Sequence, residues 1–391
     1  MEIKMNNWRN VKLGDLVNFR RGYDLPHSEM RGNNFKVVAS NGVIGYHSNY
    51  TTKAPVITIG RSGNIGTPFY YDEDCWAHNT TLYVDDFKNS YPKFIFYLLK
   101  TLNLKKIGGG SAVPTLNRNH IHPLEIYTTI DYNEQKAIAG VLSAFDDKIE
   151  LNNRIIKNLE EQAQTLYKHW FVDFEFPNEN GQPYKSSGGT FKDSELGKIP
   201  TDWEVKEIKD VSARLTQRVK SEKNIKVLSA INKGELELSE NVFDKKVFSS
   251  KIDNYIIVPP KCFAYNPARA NIGSIGMNKF DFTGCVSPVY IAIKFKDSYE
   301  WFWEYLIKSK IFRQEIIKRS SGTVRQNFDF ESFKLIKVIY PNKNDVINFN
   351  SIYLTIYENI KKLQHENEKL AEIRDYLLPK LMNGKIRVKV D

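Results

Sequence analysis

The chain has 391 residues, a net charge of +10 and 13% aromatic residues. At about 150 residues per domain this predicts two or three domains with real hydrophobic cores. No apolar run approaches the roughly 20 residues of a membrane helix, the first residues lack the apolar stretch of a secretion signal, and Cys75, Cys262 and Cys285 form no C-x-x-C pair. Membrane, disulfide-framework and structural-zinc classes are therefore set aside, and a cytoplasmic location is expected. The charge is uneven: +5 over residues 1–130, −4 over 131–194, +7 over 195–342 and +2 over 343–391. Basic globular segments suit a polyanionic partner, although a soluble protein of high isoelectric point fits the same numbers.

In chain order, Trp8 opens a motif, Val11-Lys12-Leu13-Gly14-Asp15-Leu16, within residues 1–130. Short strands are predicted at Val37-Val38-Ala39, Pro55-Val56-Ile57-Thr58-Ile59 and Thr81-Leu82-Tyr83-Val84, and a helix from Tyr91 to Leu102. A period change follows. Ile138, Leu142, Phe145, Ile149, Asn152, Ile156, Leu159, Ala163, Leu166 and Trp170 are spaced 4,3,4,3, a coiled-coil seam with one polar member. Its span is about 48 Å of helix at 1.5 Å per residue. Residues 131–175 are this first long helix, and 176–194 form a polar linker rich in Gly, Pro and Ser.

The chain then repeats itself. Trp203, Ile208 and Asp210 match Trp8, Leu13 and Asp15 at an offset of 195, and Asn271-Ile272-Gly273 matches Asn64-Ile65-Gly66 at 207. Within residues 195–342, strands are predicted at Tyr255-Ile256-Ile257-Val258 and Val289-Tyr290-Ile291-Ala292-Ile293, and one helix from about Tyr299 to Lys318. Residues 343–391 carry the second seam, with Phe349, Tyr353, Ile356, Ile360, Leu363, Asn367, Leu370, Arg374, Leu377 and Leu381 at an offset of 211. Pro379 disfavours helical geometry at Leu378, so a kink or end is expected there. The fold class is α+β. Two similar mixed domains are each followed by a long helix, and the helices pair as a spacer through Ile149, Asn152, Ile156 and Leu159 with Ile360, Leu363, Asn367 and Leu370. The internal repeat is pseudo-twofold. The competing arrangement packs each helix on its own domain alone.

Catalytic patterns are sparse. Tyr265-Asn266-Pro267-Ala268 matches the Asn-Pro-Pro-aromatic loop of amino-methyltransferases only in part, and a proline turn explains it. His120-Ile121-His122 lacks a third ligand at suitable spacing. Gly108-Gly109-Gly110-Ser111 is not followed by Lys-Ser/Thr, so it reads as a turn, and Ser320-Ser321-Gly322-Thr323 is its loose counterpart. No metal ligand set and no catalytic residue is assigned. Turns combining Arg with Asn, Gln or small residues remain. Arg reads guanine, Asn or Gln reads adenine, and small residues let backbone approach phosphate. The candidate DNA-binding residues are Arg20, Arg21, Ser40, Asn41, Arg61, Asn64 and Arg118 in the first half. Those in the second are Arg214, Arg218, Arg269, Asn271, Arg325, Gln326 and Asn327. Any one of these is also compatible with an ordinary solvated turn.

The Trp motif with its second copy, Val113-Pro114-Thr115-Leu116-Asn117 followed by Leu124-Glu125-Ile126, Glu134-Gln135-Lys136-Ala137-Ile138-Ala139, and Leu377-Leu378-Pro379-Lys380-Leu381 resemble the specificity subunit of type I restriction–modification systems. The likeness extends over essentially the whole chain. One departure is Lys343-Asn344-Asp345-Val346 where the first copy has Glu134-Gln135. The resemblance implies that each domain reads one half of a bipartite, asymmetric double-stranded DNA site. The helices would set the spacer and dock two modification subunits, with restriction subunits joining them. This chain would hold no cofactor. S-adenosylmethionine, ATP and Mg would serve adenine methylation and ATP-dependent cleavage in the partners. Two other classes remain open: a coiled-coil scaffold without DNA readout, and a nuclease or methyltransferase in its own right.

Overall fold

The computed structural model describes residues 7–107, 115–220, 225–242, 249, 251–296, 298–320 and 327–389. The first half forms β1 (Trp8–Lys12), α1 (Leu13–Leu16), β2 (Asn18–Arg21), β3 (Phe35–Ala39), β4 (Gly42–His47), β5 (Val56–Gly60), β6 (Pro68–Tyr71), β7 (Cys75–Ala77), β8 (Thr81–Asp86), α2 (Pro92–Thr101), α3 (Arg118–Ile121), β9 (Glu125–Thr129) and the 40-residue α4 (Tyr132–Phe171). The second half opens with a hairpin, β10 (Phe191–Ser194) and β11 (Gly197–Pro200), then β12 (Glu204–Glu207), α5 (Ile208–Val211), β13 (Ser212–Leu215), β14 (Lys226–Ile231), β15 (Glu235–Leu238), α6 (Ser239–Val242), β16 (Ile256–Val258), β17 (Phe263–Tyr265), β18 (Ile275–Met277), β19 (Gly284–Val286) and β20 (Ile291–Phe295). It closes with α7 (Glu300–Lys308), α8 (Lys310–Arg319), α9 (Phe330–Lys334), β21 (Lys337–Tyr340) and the 40-residue α10 (Lys343–Met382). No described helix is long and apolar enough to cross a membrane. The chain divides into two compact units, Met1–Ile156 with Lys362–Asp391, and Lys157–Lys361.

In the first unit β2, β8, β5 and β6 form one sheet in that order, β4, β3 and β7 form another, and β1 pairs antiparallel with β9. In the second unit the orders are β13-β20-β17-β18 and β15-β14-β19-β16, with β12 antiparallel to β21. The correspondence extends to strand direction. β3–β7 and β14–β19 are parallel pairs among otherwise antiparallel ladders. The two units thus share one topology, the second sheet of the second unit gaining the strand β16.

Each unit contains a stretch of both long helices. In the first, Leu13, Phe19, Ile57, Leu82, Phe94, Leu98, Ile138 and Leu142 share a core with Leu381 and Met382 from the end of α10. In the second, Trp203, Ile208, Phe263, Ile293, Trp303 and Phe333 share a core with Tyr167 and Trp170 of α4 and Phe349 of α10. Every position of both predicted seams is buried or half-buried. Ile149, Asn152, Ile156 and Leu159 are among them on α4, and Ile360, Leu363, Asn367 and Leu370 on α10. The arrangement with each helix on its own domain alone does not hold. In the first unit, Asn152 Nδ2 donates to Asn367 Oδ1 at 2.9 Å and to Glu366 Oε2 at 3.0 Å, and Asn367 Nδ2 donates to Asn153 Oδ1 at 3.0 Å. Arg374, a charged seam member, pairs with Asp146, which also accepts from Tyr97 Oη at 2.6 Å. As the α4 number rises the α10 partner number falls, so these stretches run antiparallel. In the second unit the two helices also touch through rings: Trp170 and Phe171 lie 6.1 and 5.0 Å from Phe349.

The start of each long helix is fixed by the tryptophan of the repeated motif. Trp8 Nε1 donates to Glu134 Oε2 at 2.9 Å, and Trp203 Nε1 donates to Asp345 Oδ2 at 2.7 Å. The helix-capping side chains also correspond. Asp131 Oδ1 accepts from the Glu134 amide and Asn342 Oδ1 from the Asp345 amide, each at 2.9 Å, which satisfies a first-turn N–H that has no intrahelical partner. The departure at Lys343-Asn344-Asp345-Val346 therefore preserves the carboxylate. Gln135 bonds the Tyr91 amide and the Thr129 carbonyl, whereas Val346 in its place is simply buried.

Four local expectations change. The helix expected over 299–318 is two helices, because Ser309 leaves helical geometry (ψ 150°) and its Oγ caps the Phe312 amide. A serine N-cap favours such a restart. Val289-Tyr290 precede the strand instead of joining it, since Ser287 and Tyr290 close a turn. Pro379 does not end α10. The helix continues to Met382, whose burial with Leu381 holds the last turn despite the missing amide. The 176–194 connection is folded: Phe176 is buried and stacks on Trp203 at 5.0 Å and on Tyr184 at 4.6 Å.

Two stability predictions follow from the helix contacts. Asn152→Ala strands the Asn367 and Glu366 polar groups and should cost about 1–3 kcal/mol. Replacing Asn152 and Asn367 together by Leu should recover most of that loss, as read by urea unfolding; equal losses for the single and double variants would contradict this. The second concerns Asp345, whose carboxyl burial pushes up to about 6, with Asp202 adding to the rise and the Trp203 hydrogen bond opposing it. Folded-state affinity for the proton thus exceeds that of an unfolded aspartate. The group favours folding below pH about 4, and that contribution is lost as pH rises through about 6. Asp345→Asn should flatten the pH 4–6 slope of unfolding stability, and an unchanged slope would contradict the assignment.

Candidate nucleic-acid interface

In the first unit the candidate turns meet at one end of the sheets. The β5–β6 loop leaves Gly60, where any Cβ would collide with the Asn64 carbonyl, and returns at Gly66 with φ +74°. Ile65 is buried beneath it, and Asn64 Oδ1 accepts from Thr67 Oγ1 at 2.8 Å. Gly273 repeats this left-handed geometry at φ +94°. The glycine of the Asn-Ile-Gly repeat is thus a backbone requirement of the loop, since only glycine adopts that region without strain.

The Arg61 amide donates to the Thr80 carbonyl and its carbonyl accepts from the Leu116 amide, both at 2.8 Å. Its guanidinium reaches the Asn79 carbonyl at 3.4 Å. The Ser40 amide donates to Thr80 Oγ1 at 3.3 Å; Ser40 is buried while the adjacent Asn41 is exposed. Asn79 also bonds Asp24, which pairs with Arg21 at 3.4 Å. Arg61, Asn79, Asp24 and Arg21 are thereby linked into one polar chain. Arg20 sits beside Asp85 at 2.9 Å. Arg118 is exposed at the start of α3, with Asn117 capping the helix through the Asn119 amide. His122 is structural: its Nε2 accepts from the Phe19 amide at 3.0 Å, and burial and the Arg118 and Lys88 cations hold its pKa below the usual histidine range.

In the second unit, Arg269 is exposed and Asn271 half-buried within the β17–β18 loop. The Phe328 amide donates to the Pro267 carbonyl at 3.0 Å, which brings Asn327 beside that loop. Arg214, Asn327, Asp329, Phe330, Pro267 and Tyr290 share the wall of a cavity of about 280 Å³. Arg218 donates to the Asn254 carbonyl at 2.6 Å. Arg325 and Gln326 lie outside the described residues, as do Gly108 to Pro114 and Ser321 to Val324. Sequence reading missed Asn79, Thr80 and Asp24 in the first cluster and Tyr290 and Phe330 in the second. Their signal is tertiary, because strand ends distant in the chain bring them to the chosen arginines. Among the described residues no group of three or more His, Cys, Asp or Glu is placed to hold a metal ion.

Comparisons with known proteins agree on one family. Residues 5–161 match the type I restriction modification DNA specificity domain. The chain is 30% identical to the MjaIX specificity subunit of Methanocaldococcus jannaschii, over 78% of this chain and 72% of that protein. It is 22% identical to the HindI specificity subunit of Haemophilus influenzae, over 93% and 86% respectively. Its fold resembles the S subunit of a type I restriction-modification system from M. genitalium, with a TM-score of 0.63, 17% identity and 98% coverage of both chains. With a shared fold over nearly the full length and a relative of this identity and coverage, the chain belongs to the specificity subunits of type I restriction–modification systems.

Proposed function

We propose that this chain reads a bipartite DNA site, one half with the loop cluster around Arg61 and the other with the cluster around Arg269. The observation that carries the reading is two domains of one strand order whose equivalent loops hold different side chains. A common frame with divergent loops suits two unlike half-sites. The flanking lysines and arginines supply sequence-independent phosphate attraction.

The long helices set the spacer and dock two modification subunits, which restriction subunits join. Exposed apolar side chains on the helices support docking: Leu151, Ile155, Ile373 and Tyr376 in the first unit, and Ile347 and Leu354 in the second. Apolar groups at that exposure suit a protein partner. Methyl transfer and ATP-dependent cleavage, with S-adenosylmethionine, ATP and Mg, belong to those partners, in the cytoplasm where the DNA lies.

Replacing residues 8–130 by the equivalent segment of a relative should change one half of the methylated motif and leave the other intact. Methylation mapping of DNA from cells carrying the whole system reads this, and a change in both halves would reject the modular reading. In the assembled complex, binding should weaken with salt at a log–log slope of about −0.9 per phosphate neutralised. Arg61→Ala should relax one half-site and Arg269→Ala the other; equal weakening on every sequence would make these arginines phosphate contacts.

A further inference from the structure

The arginines of the second unit differ in what holds them. Arg218 and Arg313 donate to the carbonyls of Asn254 and Ile272, and Arg319 pairs with Glu315. Arg214 is exposed on β13, and its guanidinium carbon lies 5.6 Å from the centre of the Phe330 ring. Among the described residues no carboxylate forms an ion pair with it. The two acids beside it have other partners: Asp329 caps α9 through the Ser332 amide at 2.7 Å, and Glu331 pairs with Lys334 at 2.6 Å.

Phe330 is itself held. It stacks on Phe333, with ring centres 6.3 Å apart and planes at 20°, and Phe333 is fully buried. The segment carrying Phe330 is tied to the β17–β18 loop by the Phe328 amide. An aromatic face beside a guanidinium attracts the cation without occupying its N–H groups, which stay available to an acceptor; Lys334 Nζ lies 5.8 Å from the same ring. On one side the cavity around it is walled by Pro267, Pro288, Val289 and Tyr290, with Asn327, Asp329 and Glu331 completing the lining, and Val289 is largely exposed. A planar donor fork beside apolar walls suits the edge of a base with apolar contact to its neighbour better than it suits a phosphate, which needs no such wall.

We propose that Arg214, positioned by Phe330, reads a guanine in the half-site recognised by the second domain. The proposal rests on the bipartite reading above and adds the residue and the base. Arg214 donates two parallel N–H bonds to O6 and N7 of that guanine, and Phe330 acts only through its contact with the guanidinium.

The test uses the complete system and methylation mapping, comparing the parent with Arg214→Lys, Arg214→Ala and Phe330→Leu. Arg214→Lys keeps the charge and loses the fork, and lies at an exposed position, so folding is not at stake. Expected is a loss of roughly 5- to 150-fold in discrimination at one G·C pair, the range of one bidentate contact. The other half-site should be unchanged. Phe330→Leu should relax the same position to a smaller degree while binding to the parent site persists. An unchanged motif in Arg214→Lys overturns the proposal, as does a uniform loss on all sequences, or a second half-site without a G·C pair. A parent system that methylates no bipartite site would instead overturn the functional reading on which the proposal stands.

Discussion

The hydrogen bond from a buried tryptophan to a carboxylate in the first turn of each long helix is the constraint on which the rest depends. Trp8 sits on the strand that opens its domain and Trp203 just before its counterpart, and Glu134 and Asp345 stand three residues into their helices. Each bond fastens the beginning of a domain to the beginning of the helix that follows its end. The β1–β9 and β12–β21 ladders close beside it, so the domain is a loop pinched at its base. The surroundings of the two carboxylates differ. Glu134 faces Arg387, which also lies over the Trp8 ring. Asp345 has the Trp203 and Asn342 bonds with Asp202 nearby, and burial raises its affinity for a proton.

With the base of each domain held, the far loops can vary without disturbing the frame. The Asn-Ile-Gly turns show how little they must share: a glycine in the left-handed region, while the isoleucine is buried in the first copy (Ile65) and exposed in the second (Ile272). The cost of change is kept local because the arginine-bearing loops contribute few core side chains. The same logic separates the two kinds of polar residue on these surfaces. Asn64 holds the Thr67 hydroxyl and His122 the Phe19 amide, so neither exchanges freely, whereas Asn41 and Arg269 are exposed in their turns.

Both long helices were legible in the sequence because a seam burying one residue every 3.5 leaves a periodic trace that needs no tertiary information. The Trp repeat was legible for the same reason, as a local string written twice. The partners of those tryptophans were not, being 126 and 142 residues away. Nor was the break at Ser309, where local capping outcompetes an apolar pattern that runs straight through it. Pro379 misled in the opposite direction, since the burial of Leu381 and Met382 outweighs one lost amide. At the candidate interface the arginines were visible as residue types, but their states were not. Arg20 lies against Asp85 and Arg214 over Phe330 through contacts that only the folded strands create.

The central claim is that the paired helices act as the ruler between two independent readers. Adding one heptad to each long helix keeps every seam residue in phase and lengthens each by about 10.5 Å at 1.5 Å per residue. Methylation mapping of this variant in the complete system reads the consequence directly. The account predicts unchanged bases in both half-sites and a spacer longer by about one to three base pairs, the range set by a base-pair rise of about 3.4 Å and the rotation of about 10.5 base pairs per turn. An active variant that keeps the original spacer, or that acquires new half-site bases, would contradict it.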